Sequence, residues 1–218
     1  MVWNWAYAWE ILPDLLKGLS ATVQATLVAF AFAATLGLLF ALLRRSESAW
    51  LSWPVAGLVE LVRSTPILVQ LYLFFFILPQ YGIRFPAFVV GVFALGLHYA
   101  TYTSEVYRAG IDAIDRGQWE AATALSFSPL DTWGRIILPQ AIPPMFPALG
   151  NYLIGMFKES AQLAAITVAE LLLRARSIGS HDFRFLEPIT MVGALFFLIS
   201  YPSAMLVRRL ESRFGRHH

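Results

Sequence analysis

The sequence predicts an all-α integral membrane protein with five transmembrane helices, and three observations lead to that prediction. First, 58% of the 218 residues are hydrophobic and 14% are charged, whereas about 25% of a typical soluble domain is charged. Second, the apolar residues are concentrated in five runs that carry no charged side chain. Third, each run holds about 20 residues or more, enough for a helix that rises 1.5 Å per residue to cross a hydrocarbon core of roughly 30 Å.

The five spans, drawn around these runs, form a single transmembrane domain. The domain covers residues 1–218, and the approximate bounds of its spans are 18–43, 55–78, 86–106, 136–157 and 188–207. The segment before the first span carries Trp3, Trp5 and Trp9, and tryptophan is enriched at the membrane–water interface. The apolar piece 160–173 is too short to cross, so it is predicted to be a re-entrant or surface helix. The sequence 174–187 is predicted to be a polar loop.

Composition also excludes several classes of function. The net charge is only +2, and the basic residues lie beside apolar runs instead of forming a stripe, which argues against nucleic-acid binding. The absence of cysteine excludes disulfides, cysteine nucleophiles and thiolate metal sites. No second histidine lies at ligand spacing from His98, so no metal site is expected. No nucleophile–base pair stands out, so neither a membrane enzyme nor a cofactor is expected.

The distribution of lysine and arginine predicts the orientation, because short cytoplasmic loops carry an excess of both residues. Five spans place the two termini on opposite sides of the membrane. One side then receives Arg44, Arg45, Arg108, Arg116, Arg135, Arg208, Arg209, Arg213 and Arg216. The other side receives Lys17, Arg84, Arg174, Arg176 and Arg184. The first side is therefore predicted to be cytoplasmic, with the C-terminus and the loop 107–135 inside and the N-terminus outside.

Polar side chains within the spans are candidates for a solute pathway, because a polar group at membrane depth is costly unless it faces protein or water. His98, Tyr102 and Glu105 follow at i, i+4 and i+7 on one helical face. The full candidate set is Gln70, His98, Tyr99, Tyr102, Glu105, Lys158, Glu159 and Ser160. Hydrogen bonds between helices and ion pairs are the alternative explanation for such residues. Pro66, about one turn before Gln70, predicts a kink in the second span.

The loop 107–135 is predicted to contain a helix, a tight break and a second helix. The residues from Glu120 to Leu125 are strong helix formers. Ser128 followed by Pro129 is typical of a helix N-cap and first helical residue. An ordinary amphipathic connector between two spans is the alternative that periodicity alone leaves open.

This loop resembles the coupling loop of ABC importer permeases of the polar amino-acid (histidine/glutamine/arginine-type) family. The motif of that family is Glu-Ala-Ala, a glycine, then an apolar residue and Leu-Pro. Glu120, Ala121 and Ala122 match its start, Leu138 and Pro139 match its end, and Ser126 stands where the family has glycine. The resemblance implies that ATPase coupling involves Gly117, Glu120, Ala121, Ala122, Ser126, Leu138 and Pro139.

Further segments extend the resemblance over nearly the whole chain: Arg63-Ser64-Thr65-Pro66-Ile67-Leu68-Val69-Gln70-Leu71, Glu105-Val106-Tyr107-Arg108 and Lys158-Glu159-Ser160. They imply the type I ABC importer permease fold with a cytoplasmic coupling helix, in the bacterial inner membrane. The implied partners are two cytoplasmic ABC ATPase subunits, a second permease subunit (a heterodimer or a homodimer) and an extracytoplasmic solute-binding protein. The chain has no phosphate-binding loop motif of its own.

Three stretches also resemble the ectoine/hydroxyectoine uptake permeases. They are Gly96-Leu97-His98-Tyr99-Ala100-Thr101-Tyr102-Thr103, Tyr107-Arg108-Ala109-Gly110-Ile111-Asp112 and Phe183-Arg184-Phe185-Leu186-Glu187-Pro188. This resemblance implies a small zwitterionic solute, ectoine or hydroxyectoine. Import of a polar amino acid by the same machinery is the alternative. An ion-coupled secondary transporter is a further alternative, although such proteins usually have two related halves.

Overall fold

The protein is helical throughout the described residues. The structure, a computed structural model, describes residues 2–214 and the side chains of residues 2–212, so Arg216 and the side chain of Arg213 lie outside the described part. Its helices are α1 Trp5–Arg44, α2 Ala49–Arg63, α3 Ile67–Tyr72, α4 Ala87–Asp112, α5 Arg116–Ala124, α6 Pro129–Asp131, α7 Leu138–Glu159, α8 Leu171–His181 and α9 Leu186–Phe214. No strand occurs between residues 2 and 214. The predicted all-α fold class is confirmed.

Within residues 2–214, three helices are long and apolar enough to cross a membrane: α1, α4 and α9. Helix α2 and the helical segment Ile67–Tyr81, which begins with α3, meet the same criteria only when they are taken together as one span. The two parts are bent by 102° relative to each other. The fourth predicted span, 136–157, corresponds to α7, which has 22 residues and would rise about 33 Å. Length and composition therefore support three or four spans, and crossing by α7 stays a prediction.

Helices α1 and α4 form the centre of the structure and pack closely because small residues line their contact. Ala25, Ala29, Ala33 and Gly37 recur every four residues along one face of α1, and all are buried. Small residues at this spacing allow helix backbones to approach closely in a membrane. The Thr103 hydroxyl of α4 donates a hydrogen bond to the Ala33 carbonyl at 2.9 Å. The two helices therefore make a rigid support for the rest of the chain.

The second predicted span, 55–78, is not one continuous helix. Helix α2 ends at Arg63, and α3 starts at Ile67 after a break. Pro66 causes this break, because proline has no N–H to donate and disfavours helical geometry at Thr65 before it. The predicted kink is confirmed, and the two helices meet at 102°. We call the break between them, residues 64–66, the elbow.

The segment 160–173 is buried, and the polar loop predicted for 174–187 is mostly helix. Ser160–Ile166 forms a 3₁₀-helix that contacts α1, α3 and α4, so the surface alternative is wrong. Glu170 then caps α8, its carboxylate accepting hydrogen bonds from the backbone N–H groups of Leu172 at 2.9 Å and Leu173 at 2.7 Å. This cap explains the α8 helix, because it satisfies donors that a helix start leaves free.

Candidate solute cavity and coupling loop

A cavity of about 230 Å³ lies between α4 and α7. It is lined by His98, Tyr99, Tyr102, Tyr152 and Glu159. The rings form a connected wall, with centroids 5.9 Å apart for Tyr99 and Tyr102 and 5.7 Å apart for Tyr102 and Tyr152. The cavity therefore brings together four of the predicted pathway residues and adds Tyr152.

Glu159 gives this aromatic cavity an anionic group. The Tyr99 hydroxyl interacts with the Glu159 carboxylate, but the Oε2 atom is buried without a hydrogen-bond partner among the described residues. Gly155, one turn earlier on α7, leaves room for Tyr99, since a Cβ there would lie 2.8 Å from the tyrosine hydroxyl. A buried acceptor without a partner is costly, and a cationic ligand would satisfy it.

Glu105, the third residue of the polar stripe on α4, does not line this cavity. Its carboxylate is paired with Arg44 from α1 and with Arg108 at 2.8 Å, and it lies 3.7 Å from Arg63 of α2. The Glu105 cluster, as we name these four residues, joins the ends of α1, α2 and α4. The stripe is therefore divided between a cavity wall and an ion-pair cluster.

Three further pathway candidates also lie outside the cavity lining. The Ser160 hydroxyl is buried and donates to the Phe157 carbonyl at 2.7 Å. Lys158 is exposed. Gln70 is buried at the elbow, with Nε2 2.7 Å from the Val62 carbonyl of α2. Serine and glutamine here satisfy backbone groups of their own segments.

Tyr152 is the cavity residue that sequence reasoning missed. It lies seven residues before Glu159, so both side chains occupy one face of α7. That spacing is visible in the sequence and could have placed it with Glu159. An isolated tyrosine in an apolar run is ambiguous, however, because its ring suits packing as well as a site.

At the end of α1 away from the Glu105 cluster, side chains connect the start of α1 to the turn between α8 and α9. The Tyr7 hydroxyl donates to Asp182 at 2.7 Å, and the Arg184 guanidinium lies 5.0 Å from the Tyr7 ring centroid. The backbone N–H of Asn4 donates to Glu187 at 3.0 Å. Hydrogen bonds from Tyr7 and then His181 lower the pKa of Asp182. The carboxylate therefore stays charged at neutral pH and keeps its hydrogen bond with Tyr7.

The predicted helix–break–helix of the coupling loop is confirmed. Helix α5 spans Arg116–Ala124, and α6 begins at Pro129 behind Ser128, whose hydroxyl oxygen accepts from the Asp131 N–H at 3.2 Å. The rings of Trp119 and Trp133 meet edge to face at 5.2 Å. This contact fastens α5 to the helix that leads back to the cavity.

The predicted coupling residues occupy different environments in the loop. Those exposed to solvent are Gly117, Glu120, Ala121, Ser126, Leu138 and Pro139. Ala122 is 1% exposed and packs inward. Leu130, beside the break, is 87% exposed. The loop thus exposes polar and apolar side chains on a short helix, and the buried Ala122 and the Trp119–Trp133 contact hold that helix against the rest of the chain.

Ser126 occupies the break with φ of +56°, a left-handed conformation that costs a non-glycine residue roughly 1–2 kcal/mol. Ser126→Gly removes the Cβ responsible for that cost. We expect the variant to raise the free energy of unfolding by about 0.5–1 kcal/mol, since glycine's flexibility in the unfolded chain offsets part of the gain. Thermal unfolding in detergent measures this. Ser46→Gly, in the turn after α1 and without a positive φ, is the control, and a stabilisation no larger than that of the control contradicts the expectation.

Comparisons with known proteins place this geometry in a family. Residues 33–216 match the family described as binding-protein-dependent transport system inner membrane component. The chain is 46% identical to the probable amino-acid ABC transporter permease protein y4tG of Sinorhizobium fredii, over 94% of this chain and 89% of that one. It is 34% identical to the arginine transport system permease protein ArtQ of Bacillus subtilis, over 92% of this chain and 94% of the relative.

A solved structure shares the whole fold. A crystal structure described as an amino acid ABC transporter with histidines superposes with a TM-score of 0.91 at 35% identity, covering 98% of this chain and 100% of that one. This agreement confirms the type I ABC importer permease fold. The chain therefore belongs to the family of binding-protein-dependent transport system inner membrane components, and it is a multi-pass membrane permease.

Proposed function

We propose that this chain is the permease subunit of an ABC importer that moves a polar amino acid, with energy supplied by separate ATPase subunits. The observation that carries the proposal is the cavity in which the unpaired Glu159 oxygen lies among tyrosine rings. A carboxylate and aromatic faces together suit a positively charged group, since tyrosine attracts cations through its ring. Every free amino acid presents such a group as its ammonium.

A polar amino acid fits better than ectoine, although both are zwitterions. The ammonium of an amino acid is compact and has three donors, which suits one unpaired carboxylate oxygen. The positive charge of ectoine is spread over a ring. The y4tG and ArtQ relatives carry amino-acid transport in their names, and this supports the amino-acid alternative. Ectoine stays a prediction that competition for uptake will test.

The coupling loop supports a mechanism in which ATP drives the cavity open to each side in turn. One ATPase subunit would bind the exposed α5 of this chain, and a second ATPase subunit would bind the corresponding helix of a second permease subunit. Because the Trp119–Trp133 contact fastens α5 to the helix carrying Glu159, movement of α5 would shift one wall of the cavity. A binding protein would deliver solute to the outer face. In this mechanism α5 would lie in the cytoplasm and the N-terminus outside.

Reconstitution tests the proposed function directly. The permease, its partner permease, the ATPase and the binding protein would be placed in proteoliposomes with a panel of radiolabelled amino acids and ectoine. We expect ATP-dependent uptake of at least one polar amino acid, unaffected by collapse of the ion gradient. Uptake of ectoine alone would overturn the amino-acid assignment. Uptake that requires an ion gradient and no ATP would overturn the ABC mechanism.

Charge reversal on α5 tests the coupling role. Glu120 is exposed on α5, so Glu120→Lys changes a contact surface without removing buried packing. We expect at least about tenfold less ATPase to co-purify with the permease, the effect of a 1.4 kcal/mol loss in binding. Glu47→Lys, the same change at an exposed residue between α1 and α2, is the matched control. Equal ATPase recovery from the two variants would contradict the coupling role.

A further inference from the structure

We infer that Gln70 is a positioning residue that attaches His98, one wall of the solute cavity, to the elbow between α2 and α3. The substrate readout of this inference rests on the proposed function. The contact itself is a property of the structure and can be tested separately. Among the residues that line the cavity, His98 lies within hydrogen-bond distance of the Gln70 amide.

The Gln70 amide lies at the centre of a group of acceptors. Its Nε2 atom is 2.7 Å from the Val62 carbonyl, 3.1 Å from the Thr65 carbonyl and 2.9 Å from the Thr65 hydroxyl. It is also 3.0 Å from Nδ1 of His98 on α4. The side chain is buried, at 7% exposed. An amide nitrogen has two protons, and here they are shared between the elbow and the imidazole.

The elbow needs such a donor because Pro66 removes one. Carbonyls at the end of a helix lack the donors that a continuous helix would supply. The Val62 carbonyl accepts from the Thr65 N–H at 3.3 Å and from the Thr65 hydroxyl at 3.0 Å. Gln70 adds a further donor to this carbonyl and supplies one to the Thr65 carbonyl, so its side chain links α3 to the end of α2.

His98 carries this constraint into the cavity. Its imidazole also contacts the Val62 carbonyl, so two contacts hold it against the end of α2. On its other side the ring lies 5.3 Å from Tyr102 and 5.9 Å from Tyr99, centroid to centroid. Loss of the Gln70 amide would remove one of these two contacts, so the imidazole and the tyrosines packed against it would be held less tightly.

The elbow is also attached to the Glu105 cluster. Arg63, the last residue of α2, bonds Glu60 at 2.7 Å and lies 3.7 Å from Glu105. The elbow is therefore linked to the Glu105 cluster through Arg63 and to the cavity through Gln70 and His98. A movement of α2 would be transmitted through Gln70 to the position of His98.

Gln70→Leu is the primary variant, because leucine is similar in size to glutamine but has no amide. We expect the Kd for the best amino acid of the uptake panel, measured on the purified permease–ATPase complex without binding protein, to rise about fivefold, the effect of losing one hydrogen bond of roughly 1 kcal/mol. Gln24→Leu, on an exposed glutamine of α1, is the matched control, with the Kd unchanged. An unchanged Kd for Gln70→Leu would overturn the inference.

A double-mutant cycle separates positioning from general damage. If Gln70 acts through His98, adding Gln70→Leu to His98→Leu will change the Kd by less than about twofold, since the contact is already gone. A fully additive fivefold increase would mean that Gln70 supports the cavity by another route, and would overturn the inference. If Gln70→Leu yields no folded complex, Gln70→Asn replaces it, because asparagine keeps the amide but is one methylene too short.

The imidazole itself provides a readout that needs no substrate. In complex labelled with ¹⁵N-histidine, the ring resonances of His98 are assigned by their loss in His98→Leu. We expect them to shift in Gln70→Leu, or in Gln70→Asn, and to stay in place in Gln24→Leu. Unchanged His98 resonances would overturn the inference even if transport fell. Failure of every amino acid to bind would reject the proposed function, and these resonances would still decide the role of Gln70.

Discussion

Glu159→Gln is expected to abolish most amino-acid binding while leaving the permease assembled with its partners. The substitution keeps the shape of the side chain and removes its charge, so the substrate ammonium loses its only anionic partner in the cavity lining. Hydrogen bonds to charged groups contribute about 1.5–3 kcal/mol each, so the Kd should rise at least about tenfold. Equilibrium binding to the purified complex and uptake into proteoliposomes measure the effect.

Glu10→Gln is the control for this prediction. Glu10 is exposed on α1, far along the chain from the cavity helices, and it undergoes the same chemical change. We expect this variant to bind and transport as the unmodified protein does. If Glu159→Gln also keeps full binding and uptake, Glu159 is not a pathway residue and the unpaired oxygen has another explanation.

Gly37→Ala is expected to have the largest effect on stability. A Cβ at this position would lie 2.0 Å from the Thr103 hydroxyl and 2.8 Å from the Ala100 carbonyl. The second atom belongs to the backbone, so α1 and α4 must move apart and the Thr103–Ala33 hydrogen bond must lengthen. Inserting a methyl group into such a tight contact costs about 1–3 kcal/mol. The midpoint of thermal unfolding in detergent should fall accordingly.

The same substitution at Gly193 provides the comparison. Gly193 lies within α9, and a Cβ there would meet no atom within 4 Å. We expect Gly193→Ala to leave the thermal midpoint unchanged or to raise it slightly, because alanine is a better helix former than glycine. Equal destabilisation by both substitutions would show that the close approach of α1 and α4 is not what makes glycine necessary at position 37.

Local chemistry made the coupling loop readable from the sequence. Ser128 and Pro129 favour a helix start, because a hydroxyl can accept from the N–H three residues on and proline lacks the N–H that would be unused there. Ser126 at a position where related permeases have glycine pointed to a tight turn, and its φ of +56° agrees. These features depend on neighbouring residues alone.

Other residues had their environment decided by contacts between distant parts of the chain. The i, i+4, i+7 pattern correctly placed His98, Tyr102 and Glu105 on one face of α4, but it could not show where the ends of α1 and α2 lie. Arg44 and Arg63 meet Glu105 there and remove it from the cavity. In the same way, Glu170 lies in the apolar piece 160–173, and only the structure shows that its carboxylate caps the start of α8.

By itself, the sequence determined that this is an all-α membrane protein with a helix–break–helix in the loop 107–135 and a break at Pro66, because apolar run length, capping residues and proline geometry act over one or two helical turns. Only the tertiary structure decided which polar groups are free. Gln70, Glu105 and Glu159 are all polar side chains within predicted spans. Arginines pair with the Glu105 carboxylate, and Nε2 of Gln70 contacts the elbow and His98. Gln70 Oε1 and Glu159 Oε2 are both buried without a partner among the described residues, but of these three side chains Glu159 alone lines the cavity.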